Sequence, residues 1–272
     1  MTKRALVIGG GGLVGLAWGI GWFDGLSKAE GSLADAERVI GTSIGAAVGA
    51  MLDATDRSRI AQMLSLATGV GGGVEQPEAL QQLLGAKDAS IETRQAIGQA
   101  ALAADTMPAA QWISVVGMVG GGTERTWPPT LEVVATDAQT GERVVLRDGD
   151  CPLTTAQAAS AAIPGVLPVV PIGDRWYMDG GIGSATNADL ATGADRVLVL
   201  RLMPPRVDGT FGNQPERLVE ELAEVGGESF VVAPEKLPEG GLMDASLVSP
   251  AYTAGYWQGK NAAADVMAFW QA

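Results

Sequence analysis

One serine of this chain lies in a sequence context that favours nucleophilic chemistry. Ser43 is the centre of residues 41–45, Gly-Thr-Ser-Ile-Gly, which follow a short apolar run and precede a stretch of small residues. A serine on a sharp strand-to-helix turn projects its hydroxyl outward, and the flanking glycines allow close approach of substrate and backbone. Because the chain has 38 glycines, about 0.2 chance matches to this pattern are expected, so other residues must support the interpretation.

The chain contains no histidine, and this limits the chemistry available around Ser43. A Ser-His-Asp triad is impossible, so a serine nucleophile would need another base. Zinc sites usually consist of histidines or several cysteines, whereas the only cysteine here is Cys151. We therefore expect neither a metal ion nor a bound cofactor.

An aspartate in the second half of the chain could be that base. Asp179 ends an apolar run and is followed by two glycines, so no bulky neighbour would shield its carboxylate. Asp-Gly-Gly is also a common turn sequence in which the aspartate has only a structural role. The local sequence leaves both interpretations open.

A glycine-rich loop precedes the serine motif and has two functional interpretations. Residues 9–15, Gly-Gly-Gly-Gly-Leu-Val-Gly, lie between an apolar strand and an apolar helix, where backbone N–H groups can bind a phosphate or an oxyanion. The spacing matches a dinucleotide fingerprint, but that fingerprint needs an acidic residue at the end of the second strand. The second strand ends at residues 41–43 without a carboxylate, which favours an oxyanion hole beside the serine.

Four motifs, in this order, resemble those of the patatin-like phospholipase family. They are the glycine loop at 10–15, the serine motif at 41–45, an Ala-Ser-x-Ala-x-Pro segment at 159–164 and Asp-Gly-Gly at 179–181. Four ordered motifs are far more specific than any one of them. The motifs span roughly residues 5 to 190, and the resemblance implies a three-layer α/β/α fold with a mainly parallel central sheet. We expect a single domain over residues 1–272.

The resemblance also implies an activity and the residues that perform it. Ser43 would be the nucleophile and Asp179 its general base, while the amides of Gly10, Gly11 and Gly12 would bind the oxyanion. The reaction would be hydrolysis of fatty-acyl esters through an acyl-serine intermediate. The alternatives are a general carboxylesterase for short soluble esters, a dinucleotide-binding protein that uses the loop at 9–15, and a non-catalytic binding module.

Two positions depart from the family pattern. Val14 occupies a position where many relatives have a basic residue, and residues 187–189 are Asn-Ala-Asp where many have Asn-x-Pro. The first departure removes a positive charge near the lipid head group, so a preference for phospholipids is not assured. Neither departure changes the two predicted catalytic residues.

The elements that must position these residues alternate between strand and helix. Strands are predicted at residues 4–8, 38–40, 131–136, 143–146, 169–172, 175–178, 196–202 and 229–232. Helices are predicted at residues 16–26, 46–52, 59–67, 78–84, 91–104, 109–119, 154–162, 215–225 and 250–270, with a flexible glycine-rich connection at 68–73. This alternation favours one α/β domain with a mainly parallel sheet.

Composition limits the partners and the compartment. A net charge of −13 argues against binding to nucleic acid and against broad adhesion to anionic membranes, although transient contact with a lipid surface remains open. Residues 5–23 are uncharged like a secretory signal, but seven glycines weaken that interpretation. A single cysteine fits a reducing compartment, so we expect a cytoplasmic protein. The lipid or ester substrate is what the family resemblance implies. The oligomeric state is not predicted.

Overall fold

The computed structural model describes residues 2–52, 78–85, 89–119, 126–203 and 215–272. The helix predicted at 59–67 and the glycine-rich connection predicted at 68–73 lie outside these ranges.

Within the described residues, an eight-stranded sheet forms the centre of the molecule. Strands β1 to β8 are Arg4–Ile8, Arg38–Thr42, Leu131–Asp137, Arg143–Leu146, Val170–Ile172, Arg175–Asp179, Arg196–Leu200 and Glu228–Val232. The path of hydrogen-bonded neighbours is β5-β6-β3-β2-β1-β7-β8, and β4 also pairs with β3, on the edge opposite to the one that β2 and β6 share. The five strands from β3 to β8 in this order are parallel, whereas β4, β5 and β6 join in antiparallel orientation. The predicted mainly parallel sheet is confirmed.

Helices pack on both faces of this sheet. Helices α1 to α8 of the described ranges are Gly12–Lys28, Ile44–Gly49, Glu78–Leu84, Ile91–Ala103, Ala109–Val119, Leu153–Ser160, Pro215–Val225 and Val248–Gln271. On β1, Leu6 and Ile8 belong to the core that includes α1 and α8, while Ala5 and Val7 belong to the core that includes α7. Alternate residues of one strand therefore face the two outer layers, as the α/β/α prediction requires.

The longest described helices, α1 and α8, pack with their backbones close together. At Gly255 and Gly259 of α8, a Cβ atom would lie 2.1 Å from the carbonyl oxygens of Trp18 and Trp22 on α1. Only glycine permits this approach. The C-terminal helix therefore holds α1, and with it the glycine-rich loop at the start of α1.

Within the described ranges, no helix is both long enough and apolar enough to cross a bilayer.

Candidate active site

Ser43 lies at the sharp turn between β2 and α2. Its backbone has φ 54° and ψ −127°, a conformation that costs a non-glycine residue about 1–3 kcal/mol and persists only when its surroundings hold it. Gly45 lies so close to β1 that a Cβ there would be 2.1 Å from the carbonyl oxygen of Ile8. The predicted strand–turn–helix geometry around the serine is therefore present, and close backbone packing maintains it.

Asp179 lies within hydrogen-bond distance of that serine. The Ser43 hydroxyl donates to Asp179 Oδ2 over 2.7 Å, although the two residues are 136 positions apart in sequence. The second carboxylate oxygen, Oδ1, accepts the Gly181 N–H over 2.7 Å. The residue is 8% exposed. The structure thus brings together the two predicted site residues in a shielded contact.

The register of the sheet explains why these two residues meet. Thr42 at the end of β2 pairs with Val134, and Asp179 at the end of β6 pairs with the next residue of β3, Ala135. Val133 pairs with both β2 and β4, and Ala135 pairs with both β4 and β6. Because a strand has two edges, β2 and β6 share one edge of β3 and β4 occupies the other. Since β2 is parallel to β3 and β6 is antiparallel, their carboxyl ends meet head-on.

The pKa of Asp179 is shifted in the direction that improves a base. Burial raises it to about 6, while the hydrogen bonds from the Gly181 N–H and the Ser43 hydroxyl oppose that rise. An ordinary aspartate has a pKa near 3.9 and holds a proton poorly at neutral pH. At pH 7, Asp179 is still mostly ionised, yet it is a stronger proton acceptor than an exposed aspartate.

Asn187 connects the two turns that carry Ser43 and Asp179. Its Nδ2 donates to Thr42 Oγ1 over 3.0 Å and to the Gly180 carbonyl over 3.2 Å. Thr42 directly precedes the serine, and Gly180 directly follows the aspartate. One buried amide therefore bonds to both sides of the site. From the sequence, Asn187 is only the first residue of the departure from the family pattern at 187–189, with no predicted role in the site.

Ser160, at the end of α6, supports the serine turn from the other direction. Its Oγ accepts the Ser43 N–H over 2.7 Å and donates to the Val134 carbonyl over 2.5 Å. The residue lies inside the motif at 159–164, for which the sequence alone predicts no role in the site. A serine at the end of a small-residue helix was the available signal.

The glycine-rich loop lies beside Ser43, but its three predicted donors differ in availability. A Cβ on Gly10 would be 3.4 Å from the Ser43 Cβ, so the two turns are in contact. The Gly10 N–H already donates to the Ala185 carbonyl over 2.8 Å, so of the three predicted donors it is the one with an acceptor inside the protein. Among the described residues, the N–H groups of Gly11 and Gly12 have no acceptor.

The arrangement combines the elements of covalent acyl transfer. It contains a hydroxyl bonded to a buried carboxylate, two available backbone N–H groups, and the N-terminal end of α1, which has a positive dipole. No group of three or more metal-ligating side chains comes together in the described part of the chain.

Comparisons with known proteins place this site in a family. The family model for patatin-like phospholipases matches residues 6–192, which is more than half of the chain. The crystal structure of VipD from Legionella pneumophila is 12% identical, with a TM-score of 0.44, over 97% of this chain and 67% of VipD. The crystal structure of the type III effector protein ExoU is 16% identical, with a TM-score of 0.44, over 97% of this chain and 53% of ExoU.

Family membership rests on the family model, because both TM-scores lie below 0.5. No curated protein matches the chain at a significant level. The residues matched by the family model, 6–192, include all four motifs of the predicted site. The chain therefore belongs to the patatin-like phospholipase family, a family of lipid acyl hydrolases.

Proposed function

We propose that this protein hydrolyses fatty-acyl carboxylic esters of lipids, with Ser43 as nucleophile and Asp179 as general base. The observation that carries the proposal is the 2.7 Å hydrogen bond from the Ser43 hydroxyl to a buried carboxylate in a chain without histidine. Family membership supports the substrate class. Residues 1–272 would act as one domain, and their contact with a lipid surface would be transient.

The first half of the reaction forms an acyl-enzyme. Ser43 Oγ attacks the ester carbonyl carbon while Asp179 Oδ2 accepts the hydroxyl proton, along the hydrogen bond already present. The tetrahedral intermediate develops a negative oxygen, which the N–H groups of Gly11 and Gly12 stabilise together with the N-terminus of α1. One such donor typically contributes about 3–4 kcal/mol to the transition state. The proton on Asp179 then passes to the departing alcohol oxygen as the ester C–O bond breaks.

The second half of the reaction releases the fatty acid. A water molecule attacks the acyl carbon, and Asp179 accepts its proton. The bond from the acyl carbon to Ser43 Oγ then breaks, and Asp179 returns the proton to the serine. A pKa of about 6 allows this carboxyl to accept and donate protons near neutral pH.

The test is a hydrolysis profile with two serine variants. Purified protein is assayed on esters of increasing acyl length, with a phospholipid and a neutral lipid side by side. We expect activity on long-chain esters, and Ser43→Ala should lower kcat by about 10³-fold or more. The matched control is Ser114→Ala, because Ser114 is exposed and donates only to the Ala110 carbonyl within its own helix.

Two outcomes would contradict the proposal in different ways. Undiminished hydrolysis by Ser43→Ala would remove the assigned nucleophile. Activity confined to short soluble esters, lost in Ser43→Ala, would support the general carboxylesterase instead.

A further inference from the structure

A cavity of about 410 Å³ lies beside Asn187, and three arginines line it. Its lining includes the side chains of Arg94, Arg143 and Arg217, and we call it the arginine cavity. The chain has 18 lysines and arginines against 31 acidic residues. Three cations around one cavity therefore contrast with the acidic character of the whole chain.

Two of these arginines already have carboxylate partners. Arg143 bonds to both carboxylate oxygens of Asp189, with 2.7 Å from Nη1 to Oδ1 and 2.5 Å from Nη2 to Oδ2. Arg217 Nε lies 3.2 Å from Glu221 Oε1, and Arg217 Nη1 lies 3.7 Å from Glu220 Oε2. The bidentate contact with Asp189 fixes the Arg143 side chain, whereas Arg217 Nε and Glu221 Oε1 form an ion pair without a hydrogen bond. The carboxylates offset part of the charge of both arginines.

Arg94 differs because it has no carboxylate partner among the described residues. Its Nε donates to the Ser90 carbonyl over 3.4 Å, and its two Nη groups have no acceptor there. Burial lowers the pKa of Arg94, and the positive charges of Arg217 and Arg143 lower it further, against the opposing effect of Glu142. A guanidinium stays protonated under these conditions. It is thus a half-buried cation in positive surroundings, which an anion would stabilise.

The first turns of two helices each contribute one residue to the lining of the cavity. Ile91, the first residue of α4, and Arg217, in the first turn of α7, both line it. The N-terminal ends of helices favour anions. Glu142 is the single acidic side chain among the described lining residues, and it is exposed.

We propose that the arginine cavity binds a phosphate-type anion, with Arg94 as its unpaired ligand and Arg143 and Arg217 as flanking donors. Guanidinium groups match the oxygen geometry of phosphate and form charge-assisted hydrogen bonds with it. The volume exceeds what a bare ion needs, so the phosphate can belong to a lipid head group or to a small soluble molecule. The proposal does not depend on the hydrolase activity.

The cavity is also connected to the candidate active site. Arg143 Nη1 donates to Asn187 Oδ1 over 3.2 Å, and the Nδ2 of the same amide bonds to Thr42 and Gly180. An anion that repositions Arg143 would therefore act on the amide that joins the serine and aspartate turns.

The test is calorimetric titration of the full chain with inorganic phosphate, against sodium chloride of equal ionic strength. We expect saturable binding by the parent, and Arg94→Gln should weaken it about tenfold or more through loss of charged hydrogen bonds. Glu142→Gln should tighten it about two- to fivefold, because a repelling charge is removed. Arg147→Gln is the charge-matched control, since Arg147 pairs with Glu132 and does not line the cavity.

The opposite directions expected for Arg94→Gln and Glu142→Gln separate binding from a folding defect. The proposal fails if the parent shows no saturable binding beyond the chloride control. It also fails if Arg94→Gln and Arg147→Gln behave alike, or if Glu142→Gln does not tighten binding.

The source of the phosphate is distinguished by sedimentation with vesicles. Arg94-dependent binding to phosphatidylcholine vesicles that contain phosphatidic acid, but not to phosphatidylcholine alone, assigns the site to a lipid head group. Arg94-dependent binding of inorganic phosphate without vesicle binding assigns it to a soluble phosphorylated molecule.

Discussion

Two strand-to-helix turns lie side by side in this protein and present different groups. The turn from β1 to α1 presents backbone N–H groups, whereas the turn from β2 to α2 presents the side chain of Ser43. β1 and β2 are neighbouring parallel strands, so both turns emerge at the same carboxyl edge of the sheet. That edge is where open α/β sheets build their ligand sites.

The two turns place their unusual backbone conformation at different residues. In the first turn, the positive φ of +60° belongs to Gly12, which adopts it without penalty. In the second turn, the positive φ of 54° belongs to Ser43 itself, so the strain falls on the residue whose hydroxyl must project. In the turn from β1 to α1, only backbone N–H groups are needed, so glycine can occupy the position with positive φ. Where a side chain must react, the glycines flank it and relieve crowding around it.

The largest effect is expected from filling the space beneath the serine turn. Gly45→Ala would place a Cβ 2.1 Å from the Ile8 carbonyl oxygen, so the turn or β1 must move. We expect the free energy of unfolding to fall by about 3 kcal/mol, measured by chemical denaturation.

The matched control for this substitution is Gly241→Ala, because a Cβ there has nothing within 4 Å. Equal stability of the two variants would show that close packing does not maintain the serine turn.

A smaller effect is expected from a substitution in the turn from β1 to α1, and it should appear in turnover rather than in folding. Gly12→Ala would strain a residue with positive φ and place a Cβ 2.9 Å from the Leu242 carbonyl oxygen. Displacing the N–H of Gly12 should lower kcat by about 100-fold with little change in KM. Steady-state kinetics on one ester measure both parameters.

Gly173→Ala separates the oxyanion role from simple backbone strain. Gly173 has a nearly equal φ of +62°, with nothing within 4 Å of its Cβ position. If Gly173→Ala lowers kcat as much as Gly12→Ala does, the Gly12 N–H has no specific role in binding the oxyanion.

The helices, the strands and the two strand-to-helix turns could largely be predicted from the sequence. Hydrophobic periodicity and turn residues located β4 and helices α3, α5 and α7 at the bounds the structure has. The start of α1 at Gly12 was placed four residues too late, because its glycines hide the helical pattern. Both turns were recognised because a strand, a glycine cluster and a helix are adjacent in the chain.

The contacts between residues far apart in the sequence could not be predicted. The head-on meeting of β2 and β6 depends on one shared edge of β3, which no local pattern encodes. The hydrogen bond from the Gly10 N–H to the Ala185 carbonyl likewise depends on a loop more than 170 residues away in sequence. Asn187 was visible in the sequence, but its bonds to both turns appear only when the chain is folded.

The buried aspartate has a stability consequence that accompanies its chemistry. Its pKa in the folded protein, about 6, lies above the ordinary 3.8. The folded state therefore holds the proton more tightly, and stability falls as pH rises from about 4 to above 6. The difference corresponds to about 3 kcal/mol at high pH. Asp179→Asn removes this cost, so loss of activity in that variant need not reflect unfolding.

The most direct test of the Ser43–Asp179 pair is the pH dependence of Ser43 labelling by a fluorophosphonate, followed by mass spectrometry. If Asp179 is the base, labelling of the parent should fall about tenfold per pH unit below its pKa of about 6. Asp179→Asn should label far more slowly at pH 8 and lose this dependence. Labelling of Asp179→Asn at the parent rate, with the same acid limb, would contradict the account.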